Sequence, residues 1–569
     1  MRKKLKYSLW GLAAAGVVAL TTAAYTTDFR LGQNVELAVN VMRSLYLYYV
    51  DPVDPDALGK GAAAGMVAAL DPYTELIHAD DSDQFELMTT GKYGGIGAII
   101  RARGEWVQVA EPYEGSPADR AGLEIGDTFL EIDRRDARGM TTATVSSILK
   151  GEPGTNVTVR VRKFHTGDEV TLSIRREVIA LPSVPYFGMV ADSVGYIRHT
   201  EFTDGSADEV RGALDALKKQ GAKALVLDYR ANGGGIMQEA VKIVGMFVPR
   251  GTEVVAMRGR GEGTTKQYLT ENEPLELEMP LAVLVDGYSA SAAEIVAGAM
   301  QDLDRGVVVG QRTFGKGLVQ STLPAGFGSY IKITTAKYYI PSGRCIQAID
   351  YSHQTGNEES AGTGAPSMER RERAIPDSLI SEFRTAGGRR VYDGGGVMPD
   401  LRLEPEYSSR FAVVAYTQGV IDDFADEWSR TYRGKREIKP DTFSLSDDDW
   451  NAFVSFAAGK NLGYESLSGQ ALDYLRTVAE HERYLTPEVD SLIGRLRATM
   501  RDDNKASMTL YRDELADLIE DAIILRSHYS RGVTRHNLKT DKALAEALKV
   551  LNDHTRYREI LTSQDTLKK

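Results

Sequence analysis

At 569 residues the chain is too long for one hydrophobic core and is expected to form several domains. Its 42% hydrophobic and 26% charged residues exclude a chain too polar to fold and place the bulk among soluble globular proteins. Lys plus Arg number 68 against 80 Asp plus Glu, a net charge of -12 with no basic stripe, which argues against a nucleic-acid partner.

In chain order, Arg2, Lys3, Lys4 and Lys6 precede an uncharged apolar run from about Leu9 to Ala24. Residues 1–26 read as an export signal, either cleaved near the small residues Ala23 and Ala24 or kept as an anchor over 7–24. The run is a little short for a span of roughly 20 residues. The basic flank stays cytoplasmic, so the chain after Thr26 is expected in the periplasm or another extracytoplasmic space. One cysteine, Cys345, allows no internal disulfide; it reads as a small buried residue.

An N-terminal helical segment is expected over 27–88, with an apolar face through Val35, Leu37, Val39, Met42 and Leu45. The same face leaves open a simple helix pair or an interaction segment, so a homo-oligomer is compatible with it. From 89 to 177 the pattern turns to short strands. Tyr93-Gly94-Gly95-Ile96-Gly97 leads into Ala98-Ile99-Ile100, then Trp106–Val109, a helix opening at Ser116-Pro117, Phe129–Ile132, a helix over Thr141–Leu149 and Val157–Val161. This order resembles a PDZ domain. In such a domain the turn Gly94, Gly95, Ile96, Gly97 would gather backbone N–H groups around a peptide's terminal carboxylate, and the next strand edge would pair with the peptide.

Between 178 and 404 strands alternate with helices, as in a layered α/β fold: Ala222–Leu227, Gly235–Val248, Pro280–Val285, Ser291–Met300 and Gly306–Val309. A Gly/Ser/Glu-rich surface-loop insertion is expected near 352–390, and 405–569 reads as helical, with Ser446 before Asp447–Asp449 marking one helix start.

Three segments fall at strand ends, where α/β folds place their sites. Asp228-Tyr229-Arg230-Ala231-Asn232-Gly233-Gly234-Gly235 carries free N–H groups toward a helix start and suits a phosphate or an oxyanion. Asp286-Gly287-Tyr288-Ser289-Ala290-Ser291-Ala292-Ala293-Glu294 turns through small residues into a helix; a serine there is an exposed nucleophile or an ordinary cap. Gly310-Gln311-Arg312-Thr313-Phe314-Gly315-Lys316 nearly matches the nucleotide phosphate loop, but Gly317 stands where that motif needs a hydroxyl.

Together, behind a PDZ-like unit, these segments resemble the carboxyl-terminal processing (tail-specific) peptidases. The likeness runs from about Leu37 to Glu404 and includes Ala69–Thr74 and Gly395-Gly396-Val397-Met398-Pro399-Asp400. It implies a multidomain α/β protein whose core is layered in the crotonase/ClpP-like manner. It also implies Ser291 as nucleophile, Lys316 as general base, Gln320 as the residue orienting the lysine, and an oxyanion hole from the N–H groups of Gly234 and Ala292. No cofactor or metal is implied, and the partners are proteins or peptides with accessible C-termini. Family members often carry proline where Gly233 stands.

Chemistry agrees with these roles. Lysine takes a serine proton only when neutral, and lowering its pKa from about 10.4 to about 7 needs roughly 4–5 kcal/mol of destabilisation of the ammonium, so a dry pocket is expected at Lys316. Gly315, Gly317, Leu318 and Val319 bring no charge near it. Among the eight histidines His199 lies nearest these segments, as a structural or substrate-lining residue. Two rivals stay open: a PDZ adaptor with an inactive core, and an acyl-thioester enzyme using a similar oxyanion hole.

Overall fold

The computed structural model describes residues 29–79, 87, 89–261, 263–348, 380–432, 434–460, 462, 464–500 and 504–563. The expected signal segment and most of the surface-loop insertion lie outside them. The chain divides into two compact units. One comprises residues 1–82, 320–335 and 350–372; the other comprises 83–319, 336–349 and 373–569.

In the first unit, α1 (29–48) leaves Leu31, Val35, Leu37, Val39 and Leu47 exposed. Helix α2 (Pro55–Ala68) starts at Asp54, whose side chain accepts the Asp56 N–H at 2.9 Å. The helical stretch expected to about 88 is broken over residues 69–78, with helical residues again at 87, 89 and 90. Asp71 Oδ1 accepts the N–H groups of Tyr73 and Thr74, which turns the chain at Asp71-Pro72 into β1 (Glu75–Ile77). That strand pairs antiparallel with Tyr330–Lys332. Among the described residues no helix is long and apolar enough to cross a membrane.

The second unit opens with β2 (Lys92–Gly95), β3 (Ala98–Arg103) and β4 (Trp106–Pro112). A one-turn helix α3 (Pro117–Arg120), β5 (Thr128–Ile132), β6 (Arg135–Asp136), α4 (Thr142–Leu149), β7 (Asn156–Arg162), β8 (Glu169–Arg175) and β9 (Glu177–Ala180) follow. The strands pair in the order β3-β4-β5-β7-β8, with β3 at the edge, and β2 pairs with β9. Alternation along β7 sends Val157, Val159 and Val161 into a core with Ile96, Val107, Phe129 and Val145 of α4. These elements span residues 92–180.

Then come β10 (Tyr186–Ala191), β11 (Val194–Arg198), α5 (Ser206–Lys219), β12 (Ala224–Asp228), α6 (Met237–Val244), β13 (Glu253–Gly259), β14 (Lys266–Leu269), β15 (Leu281–Val285), α7 (Ala292–Asp302) and β16 (Val307–Gly310). They continue through β17 (Leu318–Gly326), β18 (Ser329–Tyr339), β19 (Glu382–Arg384), β20 (Arg390–Tyr392) and β21 (Leu401–Arg402). A six-stranded sheet runs β10-β11-β12-β15-β16-β21, parallel from β11 onward. Helix α6 begins two residues later than expected, because Gly234 and Gly235 hold φ of 97° and 137° and are not helical. Of the expected loop insertion, Glu382–Arg384 and Arg390–Tyr392 are not loop but a hairpin; Arg389 beside it pairs with Asp304 and Asp400.

The rest is helical: α8 (Arg410–Thr417), α9 (Val420–Tyr432), α10 (Asp447–Ala458), α11 (Leu467–His481), α12 (Pro487–Met500), α13 (Asn504–Leu510), α14 (Arg512–Asn537), α15 (Lys542–Asn552) and α16 (His554–Thr562). Helices α8 to α10 and α14 share a core of Phe411, Phe424, Trp428, Phe453, Ile519 and Ile523. The last two helices do something different. Along β12, Leu225 and Leu227 face a core shared with α5 to α7, whereas Ala224 and Val226 face Ala543, Leu544, Ala547 and Val550 of α15. The sheet is thus sandwiched, and its second cover comes from the end of the chain.

Candidate active site

Three adjacent parallel strands, β12, β15 and β16, end on the same side, and each runs directly into one of the segments singled out from the sequence. The segments are hydrogen-bonded to one another. Ala231 N–H donates to Asp286, Ala290 N–H to the Asn232 carbonyl at 2.9 Å, and Phe314 N–H to the Ser289 carbonyl at 3.0 Å.

Ser289 is fully buried and structural: its hydroxyl donates to the Tyr229 carbonyl at 2.8 Å and accepts the Asp286 N–H. Ser291, half-buried, begins α7 with φ 57° and ψ -117°. A capping residue holds the extended region, so this strained conformation marks the position as more than a cap. The strain follows from packing, because α7 is buried along its whole length and fixes where its first turn points.

Gly234 lies against this serine. A Cβ there would stand 2.6 Å from Ser291 Cβ and 2.9 Å from the Ala292 nitrogen. The two expected oxyanion donors therefore flank the serine. They are not in the same condition. Ala292 N–H belongs to the first turn of α7, whose amides have no intrahelical acceptor. Gly234 N–H donates to Asn232 Oδ1 at 2.8 Å, and Asn232 is anchored by donating to the His199 carbonyl. At Gly233 a side chain would meet nothing within 4 Å.

Below this loop Asp228 is buried. Burial alone would raise its carboxyl, but the Arg230 charge and hydrogen bonds from Arg230 and Tyr196 hold it below the usual range. Arg230 also donates to Asp541, which caps α15, so the C-terminal cover is tied to the loop beside the serine.

Lys316 is half-buried between the buried Gly315 and Gly317. Its backbone is fixed at both ends, since its N–H donates to Glu294 at 2.9 Å and its carbonyl accepts the Tyr338 hydroxyl. Glu294 is the residue the sequence pattern does not disclose: a glutamate three residues into a helix looks like an ordinary capping partner. Here it is fully buried, with Oε2 accepting the N–H groups of Ser291 and Lys316 at 2.9 Å each. Its Oε1 accepts the Thr313 hydroxyl at 2.5 Å and the Gly315 N–H at 2.7 Å. Burial outweighs these bonds and pushes its carboxyl up to about 7. Thr313 in turn accepts the Val397 N–H, and Arg312 donates to the Gly395 carbonyl at 2.5 Å. The Gly395–Asp400 motif thus buttresses the lysine loop.

Gln320 lies in the other unit, where its amide donates to Thr334, whose hydroxyl donates to Asp71, each at 3.2 Å. In the β-rich body, Gly94 and Gly95 close β2 and pair with Val178 and Glu177, and Ile96 and Gly97 form the turn into β3. Ala118 N–H donates to the Ile96 carbonyl and the Ser116 hydroxyl to that of Gly97. His199 is fully buried between Phe202 and Tyr229, and burial pushes it down to about 3, so it stays neutral and outside the reacting groups. Cys345 is half-buried rather than buried, and burial pushes its thiol up. Among the described residues no His, Cys, Asp and Glu group could hold a metal.

Residues 193–353 match the model of peptidase family S41 and 108–163 that of the PDZ domain. Residues 412–551 match a model described as a probable PDZ-protease C-terminal helical domain. A carboxy-terminal-processing protease of Bartonella bacilliformis is 30% identical over 355 residues, 61% of this chain and 81% of that one. The chain belongs to this protease family. A probable CtpA-like serine protease of Staphylococcus epidermidis is 32% identical over 362 residues, 60% of this chain and 72% of the relative. Among solved structures, a photosystem II D1 C-terminal processing protease is 28% identical, covering 64% of this chain and 86% of that one at a TM-score of 0.35. The protein is accordingly a serine protease with a PDZ domain, a layered α/β core and a helical C-terminal region, which removes the adaptor and acyl-thioester readings.

Proposed function

We propose that Ser291 and Lys316 are the catalytic pair of this protease. One observation carries the reading: a single carboxylate oxygen, Glu294 Oε2, receives the N–H of both residues, so their amide nitrogens lie within two hydrogen-bond lengths of each other. Ser291 Oγ attacks the scissile carbonyl carbon while neutral Lys316 takes its proton. The lysine then returns that proton to the leaving amine, and the acyl ester on Ser291 is hydrolysed by a water that Lys316 deprotonates. The negative oxygen of the tetrahedral intermediate is received by the Ala292 N–H and, once it turns from Asn232, the Gly234 N–H.

The PDZ domain takes the substrate's C-terminal end, with the carboxylate at the Gly94–Gly97 turn and the chain added to the edge of β3. The basic start and the apolar run over 7–24 support export, retention at the membrane and action in an extracytoplasmic space.

The test uses the full chain with fluorescein-labelled casein as an unfolded substrate, following fragments by mass spectrometry. Wild type is expected to cleave it, and Ser291→Ala and Lys316→Ala to lose cleavage by a factor of at least about 10³. Cleavage that survives Ser291→Ala would sink the assignment.

A further inference from the structure

Glu294 is built more elaborately than a helix cap requires. A capping-box glutamate at a surface needs one bond, back to the N-cap N–H. The Glu294 side chain is fully buried and takes four donors, three of them from Thr313, Gly315 and Lys316, on a loop reached only after α7 and β16. Burying a carboxylate is costly unless every lone pair is used, and here the donors lie on the two loops that must meet. The charged side chains of the loop packed against it are Lys316 and Arg312, the latter turned to the Gly395 carbonyl.

We infer that Glu294 is the positioning residue of the reaction: its ionised carboxylate clamps the segment carrying the nucleophile to the segment carrying the base and sets their separation. This rests on the Ser291–Lys316 reading. Protonation removes one acceptor site, so one N–H or the Thr313 hydroxyl loses its partner and the two loops are no longer held by four bonds. The upward shift of this carboxyl to about 7 puts that change within the working range of pH. Thr313 sets the balance, because its hydroxyl bond favours the ionised form.

The experiment compares the full-length wild type with Glu294→Gln and Thr313→Val, measuring kcat, KM and their pH dependence on labelled casein, together with folded fraction and the rate at which a fluorophosphonate labels Ser291. Glu294→Gln presents an amide NH2 to N–H donors at one oxygen position and is expected to lower kcat about 10²-fold with KM within a factor of about three. Labelling of Ser291 should slow in parallel, and the acid limb near pH 7 should disappear from what activity remains. Thr313→Val, the milder change, is expected to lower kcat roughly tenfold and to move the acid limb to higher pH. Wild-type kcat in Glu294→Gln would overturn the inference. So would a loss matching the folded fraction, or an acid limb unchanged in both variants. Failure of the underlying pair is separate, since it shows as activity surviving Ser291→Ala.

Discussion

The chain has two glycine-rich turns that look alike on paper, Gly94-Gly95-Ile96-Gly97 and Gly233-Gly234-Gly235, and each was a candidate for holding a negative oxygen with backbone N–H groups. Their glycines are needed for different reasons. In the first, the pressure comes from neighbouring backbone and short side chains: a Cβ on Gly94 would lie 2.2 Å from the Gly151 carbonyl oxygen, and one on Gly97 would lie 2.5 Å from Ser116 Cβ. In the second, the pressure at Gly234 comes from Ser291, the proposed nucleophile, and from the Ala290 and Ala292 backbone on either side of it, and at Gly233 there is none. A glycine is evidence for function only when the thing its missing side chain would strike is itself functional.

The largest expected effect follows from that contrast. Gly234 combines φ of 97° with the serine at its back, so Gly234→Ala must shift either its own loop or Ser291. A displaced nucleophile or a lost oxyanion donor costs about 10²–10³-fold in kcat. The expected result on labelled casein is a folded protein with kcat reduced by that factor; near-normal turnover would mean that the two loops separate during the reaction. Next comes Gly97→Ala, with φ of 78° and the contact to Ser116. Placed in a full-length Ser291→Ala background to prevent cleavage, it should weaken binding of a fluorescent peptide with a free C-terminus by about tenfold or more, because a left-handed residue with a side chain costs about 1–2 kcal/mol before any clash. Unchanged affinity would show that peptides bind elsewhere.

Much of this was legible in the sequence, because the three candidate segments interrupt buried strands with residues chosen for size. Val283-Leu284-Val285 followed by small residues and a serine, or Leu225-Val226-Leu227 followed by glycines, reads as a strand end with something to present. Glu294 was not legible. Its local spacing fits an ordinary cap, and its other three partners arrive from a different strand end, which only the parallel order β12-β15-β16 brings alongside. The cover supplied by α15 was half legible: Ala543, Leu544, Ala547, Val550 and Leu551 have helical spacing, but which sheet face they meet is a matter of topology. The same holds for Arg230, whose link to Asp541 spans most of the chain.

A smaller effect separates the buried carboxylate from its neighbours. Glu294 binds its proton more tightly folded than unfolded, since burial raises its carboxyl from 4.5 to about 7. The native state therefore holds the extra proton between those values, and stability falls as pH rises through that window. Asp228 has the opposite sign: its lowered carboxyl adds stability that is lost only in acid. The drop in melting midpoint between pH 5 and 7 should accordingly be smaller in Glu294→Gln than in wild type. An identical drop in both would place the titration on another group.

The smallest expected effect is the most discriminating for the second turn. Gly233 is exposed, its φ is outside the left-handed region, and a Cβ there would enter open space. Replacing such a glycine with alanine narrows the unfolded ensemble and stabilises the native state by about 0.4–1 kcal/mol. Gly233→Ala should therefore raise the melting midpoint slightly and leave kcat within about twofold, one residue away from a position where the same change is crippling. If it instead costs as much as Gly234→Ala, the open space above Gly233 is where the substrate backbone lies, and this glycine serves the ligand as Gly234 serves the serine.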